Sequence, residues 1–94
     1  MIRSFKDKKT ENVWRQIPVK NISYNIQRVA LRKLFMINRA KSLKDLEIPP
    51  ANRLEKLKGD RRGRYAIRIN KQYRICFKWE GTDAYEVEII DYHK

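Results

Sequence analysis

The chain has 94 residues, 41% of them hydrophobic, which is enough for one small domain with a single core. Its 23 Lys and Arg face 11 Asp and Glu, a formal net charge of +12, so polyanions are its default partners. One cysteine excludes an internal disulfide, and no segment has the apolar length of a signal peptide or a membrane span. We therefore expect a single cytoplasmic domain over residues 1–94 with no membrane partner.

The first half of the chain is predicted to be mainly helical. Residues 2–5 are expected to form a short strand, and a polar segment with spaced apolar residues follows over residues 7–17. Apolar residues recur at helical spacing over residues 21–39, the clearest helix pattern in the chain. Ser42, with Asp45 three residues later, is typical of the start of a second, short helix.

The second half of the chain is predicted to be a small sheet. After Gly59 the apolar period changes from helical spacing to two, and turn-forming segments at 70–72 and 80–83 separate three alternating runs. Three consecutive strands joined by short turns form an antiparallel meander with one face buried. The predicted fold class is α+β, with N-terminal helices packed on one face of a small antiparallel sheet.

The short turns also allow the pairing of the strands to be predicted. The expected neighbours across the sheet are Ile69 with Tyr73, Arg68 with Arg74, Cys76 with Glu88, Lys78 with Glu86, and Trp79 with Tyr85. Two arginines side by side repel each other unless an anion lies between them, and a guanidinium donates two parallel hydrogen bonds to a phosphate. Arg68 and Arg74 are thus candidate phosphate contacts. The alternative is that the side chains splay into water or that nearby acids neutralise them.

Charge is distributed unevenly along this half. Residues 53–78 hold ten Lys and Arg and two acids, whereas residues 79–92 hold five acids and no Lys or Arg. Residues 57–65 form a basic segment with glycines at 59 and 63, which allow a backbone to approach a ligand closely. We interpret this region as a phosphate-binding groove bordered by an acidic strand. A solvated surface of mixed charge is the alternative.

The chain contains one histidine, His93, directly after Asp91 and Tyr92. In an extended strand Asp91 and His93 share a face, so the carboxylate can fix the imidazole tautomer and favour its protonated form. Tyr92 would face the other side with Arg74, and a curl of the strand end would bring all these groups to one cleft. A histidine at this place can equally be a plain surface residue. A single histidine without a cysteine cluster does not suit a usual zinc site, so we expect neither metal nor other cofactor.

The motifs that carry a family resemblance are ordered along the chain. They are Met1-Ile2-Arg3-Ser4-Phe5, the run from Asn52 through the Leu57-Lys58-Gly59 turn to Tyr65, Ala66-Ile67-Arg68-Ile69-Asn70, Tyr73-Arg74-Ile75-Cys76-Phe77 and Asp91-Tyr92-His93. Together they resemble the HigB toxins of the RelE/ParE superfamily, specifically over about residues 50–93 and loosely through the helices.

This resemblance implies a bacterial type II toxin with a RelE/ParE-like fold that cuts messenger RNA in the ribosomal A site. It further implies neutralisation by a HigA-like helix-turn-helix antitoxin, with operator DNA bound only through the toxin–antitoxin complex. The family's C-terminal motif falls on Asp91, Tyr92 and His93, its phosphate-contacting arginine on Arg74, and its basic turn residue on Lys58. Some members carry a catalytic histidine where this chain has Glu55.

The expected reaction is attack of an RNA 2′-hydroxyl on the adjacent phosphorus, which needs a base, an acid and cations. His93 is the predicted acid, Asp91 its orienting group, and Glu55 or Asp91 the base; Glu55 can also be a plain surface acid. Tyr92 would stack on or orient the nucleotide.

The predicted phosphate and RNA contacts are Arg74, Lys58, Arg68, Arg61, Arg64 and Arg53, and the predicted ribosome-docking cations are Lys8, Lys9, Arg28, Arg32 and Lys33. A ParE-like inhibitor of DNA gyrase and a non-catalytic basic RNA-binding module are the alternatives.

Overall fold

The computed structural model describes residues 1–92 and has the predicted α+β architecture. Two helices pack on one face of a four-stranded antiparallel sheet whose strands lie in sequence order. The helices are α1 (Lys8–Trp14) and α2 (Tyr24–Arg39); the strands are β1 (Glu55–Lys56), β2 (Arg64–Arg68), β3 (Tyr73–Glu80) and β4 (Asp83–Asp91). Within residues 1–92, no helix is both long and apolar enough to cross a membrane.

Helix α2 supplies the helical half of the core. It begins after Ser23, whose hydroxyl accepts a hydrogen bond from the Ile26 amide, and it therefore starts later than the predicted residue 21. Its buried Ala30, Leu34 and Ile37 recur at helical spacing and pack on the sheet. The helix predicted from periodicity is confirmed.

The sheet half of the core comes from the apolar residues that alternate along the strands. Ile67 on β2, Ile75 and Phe77 on β3, and Val87 and Ile89 on β4 are buried under the helices. Alternation sends the residues between them to the opposite face, which no α-helix of residues 1–92 covers. This helix-free face carries most of the candidate site residues.

A β-bulge in β4 changes part of the predicted strand pairing. Arg68 pairs with Arg74 and Cys76 with Glu88, as predicted. Beyond the bulge, Trp79 pairs with Ala84 and Lys78 with Tyr85, so the predicted Trp79–Tyr85 and Lys78–Glu86 pairs are wrong by one residue. Glu86 is the extra residue, with a left-handed φ of 51°, and it shifts Ala84 into the core.

Two short elements differ from their predicted forms. The strand expected at residues 2–5 consists of two isolated parallel bridges, at Ile2 and Phe5, beside β4. The short helix after Ser42 is a 3₁₀ helix, Leu43–Glu47, which the Ser42 side chain does not cap. Instead, the Asp45 carboxylate accepts a hydrogen bond from the Lys41 amide at 2.8 Å.

Lys33 is not a docking cation, which corrects the prediction from sequence. Its side chain is 5% exposed and donates a hydrogen bond to Oδ1 of Asn52, in the loop before β1. Burial, with a smaller contribution from the charge of Arg32, lowers the pKa of Lys33. The lysine therefore ties α2 to this loop and is shielded from a large polyanion.

Candidate active site on the helix-free sheet face

The pairing of the strands places two rows of side chains across the helix-free face. One row contains Glu55, Ala66, Cys76 and Glu88 on β1 to β4. The next contains Arg68 and Arg74 on the two central strands. Directly paired residues project to the same face, so Glu55 on β1 and Arg74 on β3 share this face and lie diagonally across β2 from each other.

Arg74 is held on this face by an aromatic ring and a backbone carbonyl. Its guanidinium carbon lies 4.5 Å from the centre of the Tyr92 ring, and Nη1 donates to the Asn70 carbonyl at 3.0 Å. Nε is buried, 4.0 Å from a Glu55 carboxylate oxygen, which is too far for a hydrogen bond. The side chain is 12% exposed, so these contacts fix the plane of the guanidinium.

An open cleft lies beside Arg74. It is lined by Glu55, Lys56, Leu57, Lys58, Arg61 and Tyr92. The Tyr92 ring is 42% exposed, with Arg74 against it and the cleft beside it. The structure thus brings Glu55, Lys58, Arg61 and Tyr92 of the predicted site to one cleft, with Arg74 at its edge.

The remaining predicted cations fall into two groups. Arg61 donates to Oε2 of Glu88 at 3.0 Å, and Arg64 donates to Oε1 of Glu86, so both are held by carboxylates. Within the described part of the chain, no carboxylate forms an ion pair with the side chains of Arg53, Lys58 or Arg68. These three are therefore more available to a ligand anion than Arg61 and Arg64.

Glu86, the extra residue of the bulge, lies beside two cationic side chains. Its carboxylate accepts from Arg64 and lies 3.6 Å from Nζ of Lys78. The hydrogen bond from Arg64, followed by the charge of Lys78, lowers the pKa of Glu86. This acid remains ionised at neutral pH and partly neutralises the basic strands.

Asp91 and Tyr92 lie on opposite sides of the end of β4. Asp91 pairs with Tyr73, and its Oδ2 accepts from Nε2 of Gln72 at 3.2 Å. Tyr92 turns toward Arg74, while its amide donates to the Gln72 carbonyl. His93 lies outside the described residues, so its predicted proximity to Arg74 and Asp91 stays a prediction.

The β2–β3 turn supports the site in a way that was not predicted from the sequence. Oδ1 of Asn70 accepts from the amides of Gln72 and Tyr73, both at 2.8 Å, and fixes the turn. The Asn70 carbonyl is thereby placed to accept from Arg74. Asparagine at the start of a turn is a recognisable signal for the turn itself, but it does not reveal this second contact.

The fold, with a cationic cleft on one face of its sheet, matches that of solved proteins. Two solved structures of the YoeB–YefM complex from Staphylococcus aureus match the whole chain and 99% of theirs, with TM-scores of 0.63 and 0.62 at 17% and 18% identity. At that identity they establish the fold alone.

The sequence comparisons define the family. The model of the HigB-like toxins, RelE-like toxins of type II toxin–antitoxin systems, matches residues 3–93. Toxin HigB-1 of Vibrio cholerae is 40% identical over 95 residues, covering 100% of this chain and 99% of the relative. The chain belongs to the HigB-like toxin family.

Proposed function

We propose that the protein is a ribosome-dependent endoribonuclease that cleaves messenger RNA in the ribosomal A site without a metal ion. The observation that carries this proposal is the arrangement around Arg74, which lies against Tyr92 and beside Glu55 at the edge of a cleft that also contains Lys58. A fixed guanidinium, an exposed aromatic ring and a carboxylate are the groups needed to hold a phosphate, stack a base and accept a proton. Membership of a RelE-like toxin family supports the same reaction class.

In the proposed reaction a base removes the proton of the 2′-hydroxyl, whose oxygen attacks the adjacent phosphorus. A 2′,3′-cyclic phosphate forms as the bond from phosphorus to the 5′-oxygen breaks, and an acid protonates that oxygen. Arg74 and Lys58 bind the phosphate oxygens, Arg68 makes a secondary contact, and Arg53, Arg61 and Arg64 extend the basic surface along the RNA. His93 is the proposed acid.

The base is proposed to be Glu55. Its carboxylate lines the cleft and lies 4.0 Å from Nε of Arg74, which binds the phosphate in this mechanism. The Asp91 side chain lies on the other side of β4, where Gln72 donates a hydrogen bond to one of its carboxylate oxygens. This placement favours Glu55 as the base and leaves Asp91 to orient His93, which follows it by two residues.

The proposed partners follow from the family and the charge. The YoeB structures are complexes with YefM, and we propose that a HigA-like helix-turn-helix antitoxin neutralises this toxin in the bacterial cytoplasm, the complex then binding operator DNA. Lys8, Arg28 and Arg32 are exposed and Lys9 is half-buried, which suits docking to ribosomal RNA. Such docking should weaken steeply as salt rises.

The test is single-turnover cleavage of a messenger RNA positioned in programmed ribosomes. A single 2′-deoxynucleotide at the cleavage site should abolish cleavage, because the attacking oxygen is missing. His93→Ala should slow cleavage on the order of 100- to 10,000-fold with ribosome binding retained, as expected for loss of one acid–base group. Cleavage at an unchanged rate at the 2′-deoxy position would refute the 2′-hydroxyl mechanism, and an unchanged rate in His93→Ala would remove that residue from it.

A further inference from the structure

Glu88 is a buried acid on the helix-free face that the proposed reaction does not use. It is 7% exposed and pairs across the sheet with Cys76. Its Oε2 accepts from Nη1 of Arg61 at 3.0 Å and lies 3.5 Å from Nζ of Lys6. Burying a carboxylate is costly unless it is paired and hydrogen-bonded, so its place here requires these cations.

Arg61 belongs to the β1–β2 loop, residues 57–63, which has few other attachments to the sheet. Leu57 anchors one end, since its side chain is buried against Ala66 and Cys76 and its amide donates to the Arg64 carbonyl. Gly59 and Gly63 have positive φ values of 68° and 89°, and exposed glycines restrain a backbone weakly. Within the described part of the chain, the Arg61–Glu88 pair is thus the side-chain polar attachment of this loop to the sheet.

Lys58 lies between these two attachments. Its carbonyl accepts from the Arg61 amide, which closes the 3₁₀ turn Gly59–Arg61. Through this turn the position of Arg61 sets the position of Lys58, and both residues line the cleft beside Tyr92. Burial, together with the charge of Glu88, raises the pKa of the Cys76 thiol, so Cys76 stays neutral, and the side chain that accepts from Arg61 at 3.0 Å is that of Glu88.

We propose that Glu88 is a positioning residue that clamps the β1–β2 loop to the sheet through Arg61 and thereby holds Lys58 in the cleft. Arg61 acts in this account as the anchor of the loop more than as a contact to phosphate. The effect of the clamp on cleavage rests on the proposed nuclease function, whereas its effect on the loop does not.

Amide hydrogen exchange of peptides covering residues 57–63 tests the clamp without reference to activity. Glu88→Gln and Arg61→Gln should each speed exchange in the loop about tenfold, the factor expected when one charge-assisted hydrogen bond is lost, and the double variant should add nothing more. Glu86→Gln, on the same strand, and Lys6→Gln, the other cation at Glu88, are the matched controls and should leave the loop unchanged. Loop exchange within twofold of the wild type in both Arg61→Gln and Glu88→Gln would overturn the proposal. Equal acceleration in peptides from α2 would also overturn it, because Glu88 would then support only the whole fold.

Cleavage on ribosomes tests whether the clamp acts through Lys58. Lys58→Ala should slow cleavage without loosening the loop, and adding Glu88→Gln to Lys58→Ala should cost no further activity. Additive losses in the double variant would refute the link to Lys58. A wild-type protein that cuts no RNA would defeat the nuclease proposal while leaving the exchange result intact.

Discussion

Replacing Arg74 by alanine should abolish most of the activity and leave the fold in place. Arg74 donates to the Asn70 carbonyl at 3.0 Å and to the Tyr73 carbonyl at 3.5 Å, stacks on Tyr92 at 4.5 Å, and lies 4.0 Å from a Glu55 carboxylate oxygen. Its Nε is buried without a hydrogen bond, and the residue pairs directly with Arg68. Removing the side chain thus deletes two hydrogen bonds, a cation–π contact and an ion pair, and with them one unsatisfied group and one repulsion.

The expected loss of stability in Arg74→Ala is limited, whereas the expected loss of cleavage rate is large. A hydrogen bond contributes about 0.5–1.5 kcal/mol to stability, a cation–π contact about 0.5–1 kcal/mol and a partly exposed ion pair about 0–1 kcal/mol, whereas a buried unsatisfied group costs about 1–3 kcal/mol, so the net loss should stay below about 4 kcal/mol. Small domains are typically stable by about 5–15 kcal/mol, so the fold should survive. Loss of one fixed cation from a developing charge costs about 100- to 1,000-fold in rate, and this should be the dominant effect.

The assay is single-turnover cleavage on ribosomes, with urea unfolding of each variant. Arg74→Lys keeps the charge but loses the planar fork, so its rate should lie between those of the wild type and Arg74→Ala. Arg68→Ala, directly across the sheet, should cost less than about tenfold because Arg68 is only a secondary contact. Lys71→Ala, on the exposed turn, is the matched control for loss of charge. An Arg74→Ala rate within threefold of the wild type, in a folded protein, would refute the assignment of Arg74 to the phosphate.

Three further perturbations have defined outcomes. Tyr92→Phe should cleave within about threefold of the wild type and Tyr92→Ala at least tenfold more slowly, since stacking needs only the ring; equal rates for the two variants would contradict stacking. Asn52→Ala should lower the urea-measured free energy of unfolding by about 1–3 kcal/mol, because Asn52 accepts from buried Lys33 and donates to the Leu46 carbonyl; an unchanged midpoint would show that this network adds nothing. The folded pKa of Glu86 lies below its ordinary value of 4.5, so Glu86 stabilises the fold above that pH and loses this contribution as pH falls through the folded pKa. Glu86→Gln should therefore flatten the decline in stability below about pH 4.5, and a decline identical to that of the wild type would refute the pairing.

Periodicity in the sequence was sufficient for the main elements of the fold. The spacing of Ala30, Leu34 and Ile37 predicted α2, and the period of two along Ile67 to Ile89 predicted the sheet and its buried face. β1 was missed because a strand of two residues, Glu55 and Lys56, shows no period. The bulge was missed because an extra residue at Glu86 is a property of two paired backbones and not of one alternating pattern.

The candidate site, like the fold, could be predicted from the sequence only in part. Arg68 pairing with Arg74, and Tyr92 lying on the side of Arg74, follow from turn length and strand alternation. The Arg61–Glu88 pair joins residues that are 27 positions apart, and the burial of Lys33 depends on Asn52, 19 positions away. Such partners are set by tertiary packing, so a pattern read along one segment cannot identify them.

The central claim is that cationic side chains of the sheet and the terminal imidazole converge on one scissile phosphate of a messenger RNA held by the ribosome. Primer extension of a defined messenger RNA, incubated with the purified protein with and without ribosomes, tests it most directly. We predict discrete cuts at the A-site codon that require ribosomes and are lost in Arg74→Ala. Intact messenger RNA under both conditions, with replication arrest in cells that express the protein, would contradict the claim and favour a gyrase inhibitor on the same fold.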